Sequence, residues 1–395
     1  MRRHLTGTAA ALLALAAFAT PPASAQDIVL GLSMAKTGPL KSAAETTEIA
    51  VDMAVDEINA KGGVNGKKIK VVKFDTNSDP KQAAVATRKF AEDDKVLAII
   101  GPFSTGEAAV AFGVGERLGI VQIPNASSAP GLTKGKQWAY RLTEDEGKQF
   151  TRLVKTMARK NIPYKKAEIF YVSDERIAKV VGTELMPPLF KEQGVAVGEP
   201  IGFQYSAFDL APQATKAMQS GPDIIGVAGL VGPAAKVLKE MRRQGFKGRM
   251  VGSQLFADPL TEELFGTESD GTMFTSGFWH DQNDRTRAFS KVFVEKSAAA
   301  GIKKPFPHHV DAQAYDIVYL LSQVMTTAKV TGDAGKLDAE RKAIKDGLKG
   351  IVFSGVTGNN VCFDKDNDAE LPGFVIEIKN GKWTKFDEWP ADPCT

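Results

Sequence analysis

Apolar, β-rich runs at Ile28–Ser33, Ile69–Asp75, Val96–Gly101, Ile120–Pro124, Glu168–Val172, Ile224–Gly229 and Met250–Gln254 alternate with segments of helical period. Most are continuous rather than alternating in polarity, the pattern of parallel strands buried on both faces. Between the first two, SAAETTEIAVDMAVDEINAKGG sets Ile49, Met53, Ala54 and Ile58 on one helical stripe, and Gly62-Gly63 ends it. Strand and helix in such repeated succession imply a doubly wound α/β fold. The length implies two of them, because single cores stop growing at roughly 250–300 residues.

The N-terminus reads as a removable leader over residues 1–25. It has a basic MRRH, an apolar LTGTAAALLALAAFAT and the small residues Ala23-Ser24-Ala25. That run is short for a membrane span, and no later one approaches the roughly 20 apolar residues a span needs. Residues from Gln26 onward are therefore expected to be exported, with a periplasmic destination and no lipid anchor, since no cysteine stands at the cleavage site. Removing Arg2 and Arg3 leaves 48 basic against 47 acidic residues, so charge makes no case for nucleic acid or an acidic membrane. In an exported chain, Cys362 and Cys394 read as a disulfide tying down the C-terminal tail, with two free thiols or an intermolecular bond as the alternatives.

Enzyme signatures are lacking. Besides His4 and His280, histidine occurs only as the His308-His309 pair, which its Pro-rich surroundings mark as an exposed loop. No metal spacing of Cys and His and no GxSxG elbow is present. GVGERLG, from Gly113, has the glycines of a dinucleotide fingerprint but falls inside a helical segment, where it has no such meaning. No cofactor or metal is expected.

Ligands of doubly wound sheets collect beyond the carboxyl ends of the strands, beside helix N-termini. Two turns here suit that role: IIGPFSTGEA, with Ser104, Thr105 and Gly106, and IPNASSAPGLT, with Ala126, Ser127 and Ser128. Hydroxyls and free backbone N–H groups are the chemistry of an anion site. Neither turn holds a lysine, which favours a carboxylate over a phosphate. Each turn alone is equally well read as a helix cap with nothing bound.

The order IVLGLSMAKTGPL, VDMAVDEINAKGGVNGKKIKVVKFDTNSDPKQA, LAIIGPFSTGEA, LGIVQIPNASSAPGLT, AYRL and YDIVYLL resembles the periplasmic leucine/isoleucine/valine-binding proteins, receptors of branched-chain amino-acid ABC importers. The resemblance covers nearly all of the chain after the leader. It implies two doubly wound parallel-sheet lobes joined by a three-strand hinge, the type I periplasmic binding fold. The lobes would be residues 27–146 plus 278–375, and 147–277 plus 376–395. It implies a monomer that closes on a small-molecule carboxylate and presents it to an inner-membrane ABC permease. A receptor that instead reports to a membrane kinase or chemoreceptor is the competing role. Thr105, with Ser104 and Gly106 beside it, and Ala126 with Ser128 would hold the carboxylate.

The chain departs from that pattern in the second lobe. The glutamate that meets the α-ammonium in amino-acid-binding relatives is matched by Gln254, in VGSQLFADP. Ile177 and Leu230 stand where relatives carry aromatic residues. Losing one partner of a buried charged pair costs about 2–5 kcal/mol. A free amino acid is therefore expected to bind poorly unless Asp174 or Glu175, which also read as helix caps, substitutes. The remaining wall would be apolar: Ile177, Leu230, Leu255 and Phe256, faced by Met34, Phe103 and Trp279. These features imply an aromatic or aliphatic carboxylic acid without the amine. Where relatives join two cysteines, this chain has Ser78 and Ser104, so packing would have to hold the first turn.

Overall fold

The computed structural model describes residues 27–394, so the expected leader lies outside the described residues. A first, four-stranded sheet is built from β1 (Ile28–Met34), β2 (Ile69–Asp75), β3 (Ala98–Ile100) and β4 (Val121–Ile123), in the order β2-β1-β3-β4. All its pairings are parallel, with Ile28 opposite Ile69, Gly31 opposite Ile99 and Ala98 opposite Val121. Strands β1, β3 and β4 are almost wholly buried, whereas edge strand β2 leaves Lys70, Lys73 and Asp75 exposed. Charged residues on an edge discourage further strand pairing.

The second sheet has eight strands: β5 (Lys166–Val172), β6 (Ala196–Val197), β7 (Ile201–Phe203), β8 (Ile224–Ala228), β9 (Arg249–Gly252), β10 (Met273–Ser276) and, beyond a separate small hairpin of β11 (Cys362–Phe363) and β12 (Ala369–Glu370), the late strands β13 (Gly373–Lys379) and β14 (Lys382–Trp389). Its order is β14-β13-β10-β9-β8-β5, with β6 and β7 pairing successive parts of β5. Strand β13 runs antiparallel to β10 and turns into β14 through Asn380-Gly381, at φ 52° and 69°. Positive φ at both central residues is the type I′ hairpin that Asn-Gly favours.

Each sheet has its own apolar core, and the chain passes between them three times. It enters the second core with helix Glu146–Arg159, through Phe150, Leu153 and Met157. It rejoins the first at Phe278, after β10, and returns to the second at β13. The expected boundary between 375 and 376 falls inside β13; the passage precedes Gly373, because Phe374 and Val375 already pack in the second core. Cys362 is bonded to Cys394 with a Cα–Cα separation of 5.9 Å, fastening the tail to the β11–β12 hairpin. GVGERLG lies within helix Thr105–Leu118, which Gly119 ends at φ 63°.

Candidate functional site

The first turn is shaped by Gly101. Its φ is +106°, and a Cβ there would stand 2.3 Å from the Ser33 carbonyl oxygen, so only glycine lets β3 turn this sharply beside β1. Ser104 then caps helix Thr105–Leu118. Its N–H donates to Glu107 Oε2 at 2.9 Å, and its Oγ accepts from the Glu107 N–H at 3.3 Å. The Thr76 hydroxyl also meets the buried Glu107 carboxylate. This capping box, and not packing alone, holds the turn. Ser78 performs a different task, accepting from the Leu40 N–H and donating to the Thr37 carbonyl. The N–H groups of Thr105 and Gly106 are left without an intrahelical partner, as first-turn donors are.

The second turn is held from behind by Arg141, whose side chain is wholly buried. Its guanidinium donates to the carbonyls of Ser127 (3.2 Å) and Ala129 (2.7 Å) and forms a fork with Asp368, both contacts at 2.6 Å. Carbonyl and N–H of one peptide unit point in opposite directions. Drawing the Ser127 carbonyl toward Arg141 therefore turns the Ser128 N–H away from it. The Ser127 hydroxyl donates to the Phe103 carbonyl at 3.1 Å and ties the two turns together.

Both turns open on a cleft of about 130 Å³, whose far wall comes from the second sheet. Phe103, Ser104, Thr105, Ala126 and Ser128 line one side, and Ile177, Leu230, Gln254 and Leu255 the other. Ser127 and Gly106 stay off the lining: Ser127 is spent between the turns, and Gly106 sits one step inside the helix. Phe256 was expected on the wall and is instead fully buried. Its ring lies over Gly252, where a Cβ would be 2.4 Å away, and packs edge-on against Phe265 and Phe274. Met34 is held in the first core, and Trp279 lines a separate groove with Phe374 and Thr357.

Gln254 does not sit on a strand. Strand β9 stops at Gly252, Ser253 caps a short 3₁₀ turn over Gln254–Phe256, and the Gln254 amide is engaged by an acid that sequence reasoning did not single out. Gln254 donates from its backbone N–H to Glu146 Oε1 (3.0 Å) and from Nε2 to Glu146 Oε2 (2.9 Å). The Ser128 hydroxyl donates to the same Oε2 at 2.6 Å. Glu146 is fully buried, and burial raises its carboxyl pKa while these donors pull it back. One carboxylate thus joins the clamp turn to the second-sheet wall.

Of the two candidate acids near β5, Glu175 lines the cleft and Asp174 does not. Glu175 caps helix Arg176–Val180, accepting from the Ile177 N–H (3.2 Å) and the Ala178 N–H (2.7 Å), and burial raises its pKa. Asp174 accepts from the Tyr205 N–H at 2.8 Å.

The histidine pair overturns its expected place. His308 and His309 are 6% and 4% exposed and line the cleft, where helix His309–Thr327 starts. Beside them the buried Lys304 donates to the Ser42 carbonyl (3.1 Å) and faces Asp258 at 3.4 Å. Both imidazoles have pKa values well below the ordinary range, through burial and, for His308, the Lys304 charge. Among the described residues no group of three or more His, Cys, Asp or Glu is arranged to hold a metal.

A family model described as periplasmic binding protein matches residues 27–382. An amino acid binding protein of Pseudomonas aeruginosa is 26% identical over 359 residues, covering 89% of each chain. A Leu/Ile/Val-binding protein homolog 1 of Brucella melitensis is 27% identical over 372 residues, covering 91% of each. The branched-chain amino acid transporter substrate binding protein LivJ of Streptococcus pneumoniae, solved with isoleucine, superposes with a TM-score of 0.80 at 26% identity, covering 93% of this chain and all of its own. A leucine binding protein LivK from Thermotoga maritima gives 0.80 at 23% identity, covering 92% and 99%.

Proposed function

Because this chain belongs to the periplasmic binding protein family, with the match spanning residues 27–382, we propose that it is an extracytoplasmic solute receptor of a branched-chain amino-acid-type ABC importer. Its two sheets act as lobes that hinge shut on a small carboxylic acid, the shared motion of such receptors. The closed form is what an inner-membrane permease reads.

The carrying observation is the pair of turns at Thr105 and Ser128, which bring backbone N–H groups and the Thr105 hydroxyl to one face of the cleft with no cation among them. Opposite lies an apolar wall of Ile177, Leu230, Leu255, Leu260 and Leu264. Gln254, already hydrogen-bonded to Glu146, supplies no negative charge to meet an ammonium group. An aromatic or aliphatic acid without the α-amine is the ligand these features favour. A hydrophobic amino acid is the second reading, and Glu175 on the wall is the observation in its favour.

Calorimetry on refolded, ligand-stripped protein tests the carboxylate clamp with 4-methylpentanoate, 3-phenylpropionate and their primary amides. The acids bind and the amides do not, and Thr105→Ala weakens the acids by about tenfold or more, the scale of a hydrogen bond to a charged group. Equal binding of acids and amides contradicts it.

A further inference from the structure

Three buried polar atoms around the cleft lack hydrogen-bond partners among the described residues: Gln254 Oε1, His308 Nδ1 and His309 Nδ1. All three residues line the cleft, at 2%, 6% and 4% exposure. Unpaired buried polar groups are rare and costly, so three beside one cavity point to a missing partner.

Their chemistry specifies that partner. A glutamine amide oxygen only accepts. A neutral imidazole carries one N–H donor and one bare, accepting nitrogen, and Nδ1 of His308 and of His309 takes either part according to tautomer. What is missing is therefore a group that donates to Gln254 Oε1 and can donate or accept at the imidazoles. An ammonium group donates, but it would bring a second cation beside Lys304, whose buried charge already bears on His308. A hydroxyl donates without charge.

We propose that Gln254, His308 and His309 form a hydroxyl-recognising subsite, so that the ligand is a carboxylic acid bearing at least one hydroxyl group in addition to its carboxylate. This deepens, and rests on, the carboxylate reading of the same cleft.

Matched pairs differing by one hydroxyl test it: benzoate and 4-hydroxybenzoate, 3-phenylpropionate and 3-(4-hydroxyphenyl)propionate, 4-methylpentanoate and 2-hydroxy-4-methylpentanoate. In at least one pair the hydroxy acid binds about tenfold tighter or better. That preference drops below about threefold in His309→Leu or Gln254→Leu. Should either variant fail to fold, nitrogen-15 spectra of the wild-type histidines decide, with an imidazole nitrogen shifting for the hydroxy acid and not for its partner. Equal affinities within every pair, as expected if ordered water satisfies these atoms, overturn the subsite and leave the carboxylate clamp standing. So does a preference that persists in both folded variants, or imidazole nitrogens unmoved by the hydroxy acid. Failure of every acid to bind overturns the clamp and the subsite together.

Discussion

The Gln254 side chain donates to the Glu146 carboxylate at 2.9 Å, from the second-sheet wall to the first residue of the helix that carries the chain into that sheet. The same carboxylate oxygen receives the Ser128 hydroxyl. Wall, hinge and clamp are therefore linked through one buried acid, and the identity of residue 254 bears on ligand charge as well as on packing.

Gln254→Glu places a second carboxyl group against Glu146. Two buried carboxylates at this distance cannot both ionise freely, and the new acid also offers an ammonium partner in the cleft. The ratio of affinities for L-leucine and 4-methylpentanoate should move toward leucine by tenfold or more, since a buried charged partner is worth about 2–5 kcal/mol. Calorimetry at pH 7 reads this, and an unchanged ratio refutes it.

Arg141→Met strands Asp368 and releases the carbonyls of Ser127 and Ala129. Breaking one side of a buried ion pair costs about 3–5 kcal/mol, visible in urea unfolding. Adding Asp368→Leu removes the stranded charge and restores part of that stability. Ligand affinity stays low in the double variant, because nothing then orients the Ser128 N–H. Full recovery of affinity contradicts the positioning role of Arg141.

Burial pushes the Asp311 carboxyl up from the ordinary 3.8 to about 7, against the pull of Lys304, Thr46 and the His308 N–H. Between those values the folded protein holds a proton the unfolded chain has released, so this residue's contribution to stability falls as pH rises from about 4 to 7. Wild type should lose stability relative to Asp311→Asn across that interval, with a slope of up to about 1.4 kcal/mol per pH unit. Parallel stability curves would exclude it.

The Cys362–Cys394 bond closes a loop across 32 positions of sequence that contains the whole β13–β14 hairpin. Its removal by Cys362→Ser with Cys394→Ser should lower stability by about 2–4 kcal/mol. Denaturant midpoints that coincide with and without the bond would show that the tail is held by β14 alone.

Much of this was legible in sequence. The continuous runs from Ile28 to Ala228 gave the parallel strands, and a glycine turn followed by hydroxyls gave the clamp, because strand burial and helix capping are local properties. What was missed depends on direction or distance. Phe256 and Leu255 are adjacent and equally apolar, and only the fold of the 3₁₀ turn sends one into the core and the other to the cleft. Pro305, Pro307 and two histidines looked like a surface loop, yet both histidines are buried at the cleft, with the buried Lys304–Asp258 pair beside them. Glu146 stands in the first turn of its helix, where an acid is common, and nothing in the local sequence marks it out. Two further signals were present and unused: Asn380-Gly381 between β-rich runs, which marks the last hairpin, and Arg141 in an otherwise apolar stretch.

The most direct measurement is paired calorimetry of the ligand-stripped wild type with 4-methylpentanoate and L-leucine, two molecules of one shape that differ in the α-amine. The amine-free acid should bind at least tenfold more tightly, because the two carboxylates lining the cleft are already engaged, Glu175 by two backbone N–H groups and Asp258 by Lys304. Tighter binding of leucine would contradict this, placing the ammonium on Glu175 or Glu146 and making the protein a receptor for hydrophobic amino acids.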